Sequence, residues 1–131
     1  MPQIKYEDRD EFFEFVRSKG VSIEKKTLVD PKKLKATQKN FNREKIAGMM
    51  NNKEMIAANR PIIISLDDYV LDGHHTWLAF YNIGKEINTI RIKISIDELL
   101  VLSKNFSKTF TKTINEEVND DRQITVKENA S

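Results

Sequence analysis

The chain alternates between short apolar clusters and longer polar stretches, and the spacing inside each cluster predicts its shape. Phe12, Phe13 and Val16 recur at helical intervals over residues 7–19, while Glu7, Asp8, Asp10 and Glu11 fill the first turn. A helix favours negative charge there. Gly20 is a natural stop. Val21, Ile23 and Leu28 alternate loosely, which predicts a strand over Val21 to Leu28, broken by Pro31. Lys32 to Gln38 is expected to be extended or to turn. Asn42 is placed to cap a helix starting at Arg43 and running through Ile46, Ala47, Met49 and Met50. After the joint Asn51-Asn52, a second helical turn is expected over Lys53 to Ala58.

Pro61 ends any helix, and Ile62-Ile63-Ile64-Ser65-Leu66 follows as a continuous run of the kind that forms a buried strand. Asp67-Asp68 predicts a tight turn and Tyr69-Val70-Leu71 a short return strand, so residues 61–71 are read as a β-hairpin. Asp72-Gly73 then opens a helix over about His74 to Asn82, with Trp77, Leu78, Phe80 and Tyr81 as its apolar face and Gly84 as its end. From Ile87 to Ile94 the pattern is strict. Ile90, Ile92 and Ile94 fall on one face and Thr89, Arg91 and Lys93 on the other, the signature of a half-buried strand. Ser95-Ile96-Asp97-Glu98 fits a capping box for a helix through Leu99, Leu100 and Leu102. Beyond Asn105 the pattern fades. Phe106 and Phe110 are expected to pack back, Ile124 to Val126 is a further candidate strand, and Glu128 to Ser131 is expected to be loose. The resulting division is an N-terminal helix (1–20), an α+β domain with a mixed sheet (21–104) and a C-terminal extension (105–131).

Composition narrows the function classes. At 131 residues a single domain is expected. Cysteine is absent, which excludes disulfide scaffolds, thiolate metal sites and thiol catalysis. No apolar run approaches the length of a membrane span, so no membrane partner is expected. Met1 to Asp10 is polar and acidic rather than signal-like, so a cytoplasmic location is expected. The net charge of +2 conceals an uneven distribution: residues 25–60 hold ten basic and three acidic side chains. Clustered positive charge attracts anionic ligands, whether nucleotide or nucleic acid. A lysine-rich solvated face explains the same composition. The basic residues singled out for nucleic-acid contact are Lys32, Lys33, Lys35, Lys39 and Arg43.

The chemistry-bearing stretch is Leu71-Asp72-Gly73-His74-His75-Thr76-Trp77, which holds both histidines of the chain. Placed at the opening of a helix, its free amides and the positive end of the dipole form an anion site. Gly73 allows close approach of backbone to a phosphate. His74 and His75 can donate to phosphate oxygens or shuttle a proton near neutral pH. Asp72 can cap the helix or hold a magnesium ion that accompanies phosphates. A simple Asp-Gly cap with one packed histidine is the alternative. Adjacent histidines point about 100° apart on a helix and cannot easily share a zinc ion. Trp77, Met49 and Met50 are read as core.

Three blocks together carry a family resemblance. Leu34 to Gln38 (LKATQ) with the helix Arg43 to Met50, the strand Arg60-Pro61-Ile62-Ile63-Ile64, and Val70-Leu71-Asp72-Gly73-His74-His75-Thr76-Trp77-Leu78-Ala79 together resemble the ParB/sulfiredoxin superfamily, in its ParB-like nuclease branch. The Asp-Gly-His-His run is also similar to that of the free-serine-kinase branch. The resemblance covers about residues 21–96. It implies a small α+β domain whose hairpin leads into a phosphate-binding helix N-terminus. The implied ligands are a nucleoside di- or triphosphate (ATP, ADP or CTP) and Mg2+. The implied chemistry is phosphoryl transfer or nucleotide hydrolysis, with nuclease action or non-catalytic DNA binding as alternatives, and a phage or other mobile element as the source. Asp72, His74 and His75 would be catalytic. Gln38, Arg60, Gly73, His74, His75 and Thr76 would hold the nucleotide, and Asp72 the magnesium. His74 stands where sulfiredoxin needs cysteine, Gln38 at or near the catalytic Glu of the serine kinases, and Thr76 where much of the superfamily has Arg.

Overall fold

The computed structural model describes residues 4–106. The expectations for Phe110, Ile124 to Val126 and the last residues lie outside them. Among the described residues, five α-helices pack against a four-stranded mixed sheet. Helix α1 spans Arg9–Ser18, α2 Arg43–Met50, α3 Lys53–Ala58 and α4 His74–Ile83; α5 covers residues 96–106. Strands β1 (Ile23–Val29), β2 (Ile62–Ser65), β3 (Val70–Asp72) and β4 (Ile87–Ile92) are ordered β1-β4-β2-β3. The β4–β2 pair is parallel, and the outer pairs, β1–β4 and β2–β3, are antiparallel. The expected α+β architecture, with a hairpin feeding a helix, is the one the chain forms. Among the described residues no helix is long and apolar enough to cross a membrane.

Strands β2, β3 and β4 are covered on both faces, which explains the unbroken isoleucine run, while the edge strand β1 is exposed from Glu24 to Leu28. Ile63, Leu71, Ile90 and Ile92 face α1 and α5, packing with Phe12, Phe13, Val16, Ile96 and Leu99. Ile62, Ile64, Val70 and Ile87 face α4, packing with Leu34, Trp77 and Phe80. Successive residues of β2 therefore enter opposite cores, as strand geometry requires. Trp77 is core, as expected, and its Nε1 donates to the Pro31 carbonyl at 2.8 Å. That bond anchors the short 3-10 turn Pro31–Lys33 onto α4.

Double coverage also corrects two expectations. β4 ends at Ile92, and its polar face is not solvated. Thr89 is fully buried, and its hydroxyl donates to the Thr27 carbonyl at 2.7 Å. Arg91 donates to the Ser65 carbonyl at 2.8 Å and pairs with Asp68 at 2.8 Å, so it braces the hairpin turn. A half-buried reading holds for a strand with one bare face, whereas β4 is central and lies between two layers. On α4, Tyr81 is 40% exposed, so the apolar stripe is narrower than the pattern suggested.

The caps expected at Asn42 and Ser95 form, the one offered at Asp72 does not, and Asn52 adds a cap the sequence reading did not name. The Asn42 side chain accepts from the Lys45 amide and Asn52 from the Met55 amide, both at 3.0 Å. Ser95 accepts from the Glu98 amide at 3.3 Å at the start of α5.

The strictest local demand falls where β3 becomes α4. Gly73 has φ +98°, and a Cβ there would lie 2.5 Å from Cγ2 of Ile62. Gly73→Ala therefore combines left-handed strain with overlap against a fully buried strand. It should destabilise the fold by about 2–4 kcal/mol, read as a lowered midpoint in chemical denaturation. Gly20→Ala, at φ +81° with open space around it, should cost only about 1 kcal/mol.

Candidate functional site

Asp72, Gly73, His74, His75 and Thr76 come together because they are consecutive at the opening of α4. The helix begins on left-handed Gly73 and no side chain caps it. The main-chain bond of the first turn runs from the Trp77 amide to the Gly73 carbonyl at 2.9 Å. The amides of His74, His75 and Thr76 come before that bond, at the positive end of the helix.

The two imidazoles hold one loop through their Nε2 atoms. His74 is 5% exposed. Its Nε2 accepts from the Thr37 amide at 3.1 Å, and the Thr37 hydroxyl oxygen lies 3.1 Å from the same nitrogen while donating to the Val70 carbonyl at 2.7 Å. His75 is half-buried, and its Nε2 accepts from the Asn42 amide at 3.0 Å. The Phe41 ring sits between them, its centroid 6.0 Å from that of His74 and 6.1 Å from that of His75. The loop from Thr37 to Asn42 is thus clasped at both ends. Because a backbone N–H can only donate, each Nε2 must carry a lone pair, and each ring proton resides on Nδ1.

This setting keeps both rings neutral. Burial lowers the His74 pKa to about 4, with a further push from His75. Burial also lowers that of His75, helped by the nearby charge of Lys45. Neither ring is a ready proton donor at neutral pH through Nε2.

Asp72 is held from the other side. Its Oδ2 is 3.0 Å from Nη2 of Arg9, and Nη1 of Arg9 donates to the Pro61 carbonyl. Burial raises the Asp72 pKa, while the charge and hydrogen bond of Arg9 and the Gly73 amide pull it back. Magnesium at a phosphate site takes one or two free carboxylates, with waters and ligand phosphates completing its octahedron. The carboxylate of Asp72 is already ion-paired, and among the described residues no group of three His, Cys, Asp or Glu side chains is placed to hold a metal ion. The residues present do not fit a magnesium ion held by the protein.

The remaining expected residues divide. Gln38 belongs to the clasped loop and donates to the Asn40 carbonyl at 2.9 Å. Thr76 turns its hydroxyl toward Sδ of Met49 on α2, at 4.0 Å. Arg60 is exposed and lies over the Tyr6 ring, 5.3 Å from its centroid. Lys39 and Arg43 are exposed beside the clasp, in the loop and the first turn of α2. Lys33 is exposed on the Pro31–Lys33 turn. Lys32 borders a cleft with Tyr81 and Gly84 at the far end of α4, and Lys35 lies over Tyr69. The basic block is contiguous in sequence but spread from one end of α4 to the other, a length of about 15 Å.

Arg9, Thr37 and Asn42 are the partners that sequence reasoning did not assign to the site. Arg9 carried a readable signal: it is a cation in a helix first turn crowded with acids, where the dipole disfavours it. A tertiary partner accounts for such a placement. Thr37 carried none.

No model of a protein family matches the chain, and no curated protein does. A solved structure of a Pnob8-like ParB-N domain is similar, with a TM-score of 0.39 and 12% identity over 76% of this chain and 52% of that one. The chain thus spans about half the length of that ParB-N chain. A likeness of that degree carries no argument about residues or ligands.

The clasp makes two measurable statements. Nitrogen chemical shifts of both imidazoles should report the Nδ1–H tautomer, the minor form in water; Nε2–H in either ring would contradict the geometry. Above pH 6.5 His74 is neutral folded and unfolded and adds no pH dependence. As pH falls from about 6.5 to about 4, the unfolded ring takes up a proton and the folded one does not. Stability should therefore fall across that window, by about 3 kcal/mol in total. In His74→Gln, whose Oε1 can still accept from Thr37, that slope should shrink in urea unfolding curves measured from pH 7 to 4.

Proposed function

We propose that this chain binds the phosphate groups of a nucleotide at the first turn of α4. The observation that carries the reading is a meeting of two helix N-termini. The Asn42–His75 hydrogen bond joins the start of α2 to the start of α4, and Lys45 is close enough to act on His75. Two positive helix ends, one of them without a side-chain cap, and a lysine converge on one spot. Helix N-termini bind phosphate through free amides and the dipole together. Lys39 and Arg43 add long-range attraction, which raises the encounter rate more than the affinity.

The reading is of binding before chemistry. Of the three side chains expected to be catalytic, Asp72 is ion-paired and His74 is buried. His75 is half-exposed and carries its proton on Nδ1, so it is the one with a donor left for a ligand. Phosphoryl transfer or hydrolysis at this site would rest on positioning and charge neutralisation around His75.

Thermal unfolding of the full chain with ATP, ADP, CTP and GTP tests the reading. A nucleotide present at about 100 times its dissociation constant adds roughly 2.7 kcal/mol, a midpoint shift of roughly 10 °C. His75→Ala should weaken the shift. Thr76→Asp should abolish it while leaving the fold intact, because a carboxylate in the first turn suits the dipole and repels phosphate. No shift with any nucleotide, or a shift that survives Thr76→Asp, would refute the assignment. A shift with DNA alone would move the function to the basic residues from Lys32 to Arg43.

A further inference from the structure

Asp72 stands one residue before the N-cap of α4, where a carboxylate would hold a metal ion against a ligand phosphate. Its charge is already answered from the chain's own N-terminal helix. Nη2 of Arg9 meets Oδ2 at 3.0 Å, and Nη1 is fixed by the Pro61 carbonyl. The face of the same guanidinium lies 5.2 Å from the Tyr6 ring centroid, and Arg60 lies over that ring as well. Arg9 is 9% exposed, and its Nε is buried without a hydrogen-bond partner. A guanidinium pinned by a carboxylate, a carbonyl and a ring, and desolvated along one edge, is a fixed part of the structure rather than a surface cation.

We propose that Arg9 is the resident counter-cation of the α4 site. It takes the charge of Asp72 in place of a divalent ion, and the ligand phosphate is held by the first-turn amides and His75 with no metal bound by the protein. The proposal rests on the phosphate reading above and deepens it.

The experiment is thermal unfolding of the full chain with ATP and with ADP, each in magnesium and in EDTA. The expected result is a midpoint shift, with either nucleotide that binds, that EDTA leaves unchanged. A shift present in magnesium and lost in EDTA would overturn the role of Arg9 while leaving the phosphate site standing. No shift under any condition would overturn the phosphate site and this proposal with it. Paramagnetic Mn2+ supplies a readout of metal at Asp72 that needs no nucleotide. In the wild-type chain, added Mn2+ should leave the amide resonances of Asp72 and Gly73 sharp, and selective broadening there would overturn the proposal. In Arg9→Met, the released carboxylate should make the same resonances broaden. If that variant does not fold, the wild-type comparison decides alone.

Discussion

The close approach of Gly73 to Ile62 governs the geometry of everything around it. With less than a side chain's width between the helix entry and a central strand, α4 has to leave β3 in one direction. That direction lays Trp77 and Phe80 on the sheet and turns His74 and His75 toward the Thr37–Asn42 loop. A glycine in this position reads equally well as a device for admitting a phosphate. The structure supplies a prior reason for it: the space a Cβ would need belongs to Ile62. A ligand at the helix opening takes advantage of a backbone shape that packing already imposes.

Polar groups at this corner show the same economy. Asp72, His74 and His75 were read as chemistry, and each has a structural partner: Arg9, Thr37 and Asn42 respectively. Buried polar groups left unpaired cost on the order of 1–3 kcal/mol each, so a half-buried cluster of this kind has to satisfy itself before it can serve a ligand. What stays available is the main chain of the first turn, whose amides no side chain caps, together with one proton on the half-exposed ring of His75. Backbone amides and a helix dipole bind anions without titrating. The candidate site is therefore built mainly from groups whose state does not change near neutral pH.

Much of the fold was legible because its signals are local. Asn42 caps the helix it precedes, Gly84 ends α4, and the isoleucine run with its Asp67-Asp68 turn forms the hairpin. The polar face of β4 was misread because alternation records side-chain type and not what covers it. Thr89 and Arg91 are buried or half-buried by hydrogen-bonding to Thr27 and Ser65, partners that only the strand order β1-β4-β2-β3 brings near. At the site, the residues from Asp72 to Thr76 could be found because they are consecutive. Their partners could not, since Arg9 is 63 residues from Asp72 and Thr37 is 37 from His74. The scatter of the basic block has the same origin. Lys32 follows the Pro31–Lys33 turn to one end of α4, and Arg43 starts a helix at the other.

Two adjacent histidines on one helix diverge by about 100°, which argues against their sharing any single small ligand. The divergence suits a loop. His74 reaches its beginning at Thr37, His75 its end at Asn42, and Phe41 fills the angle between the rings. A pair of residues that looks redundant as chemistry is thus non-redundant as architecture, because each ring closes a different end of the same segment. The segment in turn delivers the capped start of α2 to the uncapped start of α4. Two helix N-termini repel one another, so holding them together has a cost that the two imidazole bonds and the α2–α4 packing offset. An anion bound between them would relieve that repulsion, and this is the strongest physical reason to place the ligand there.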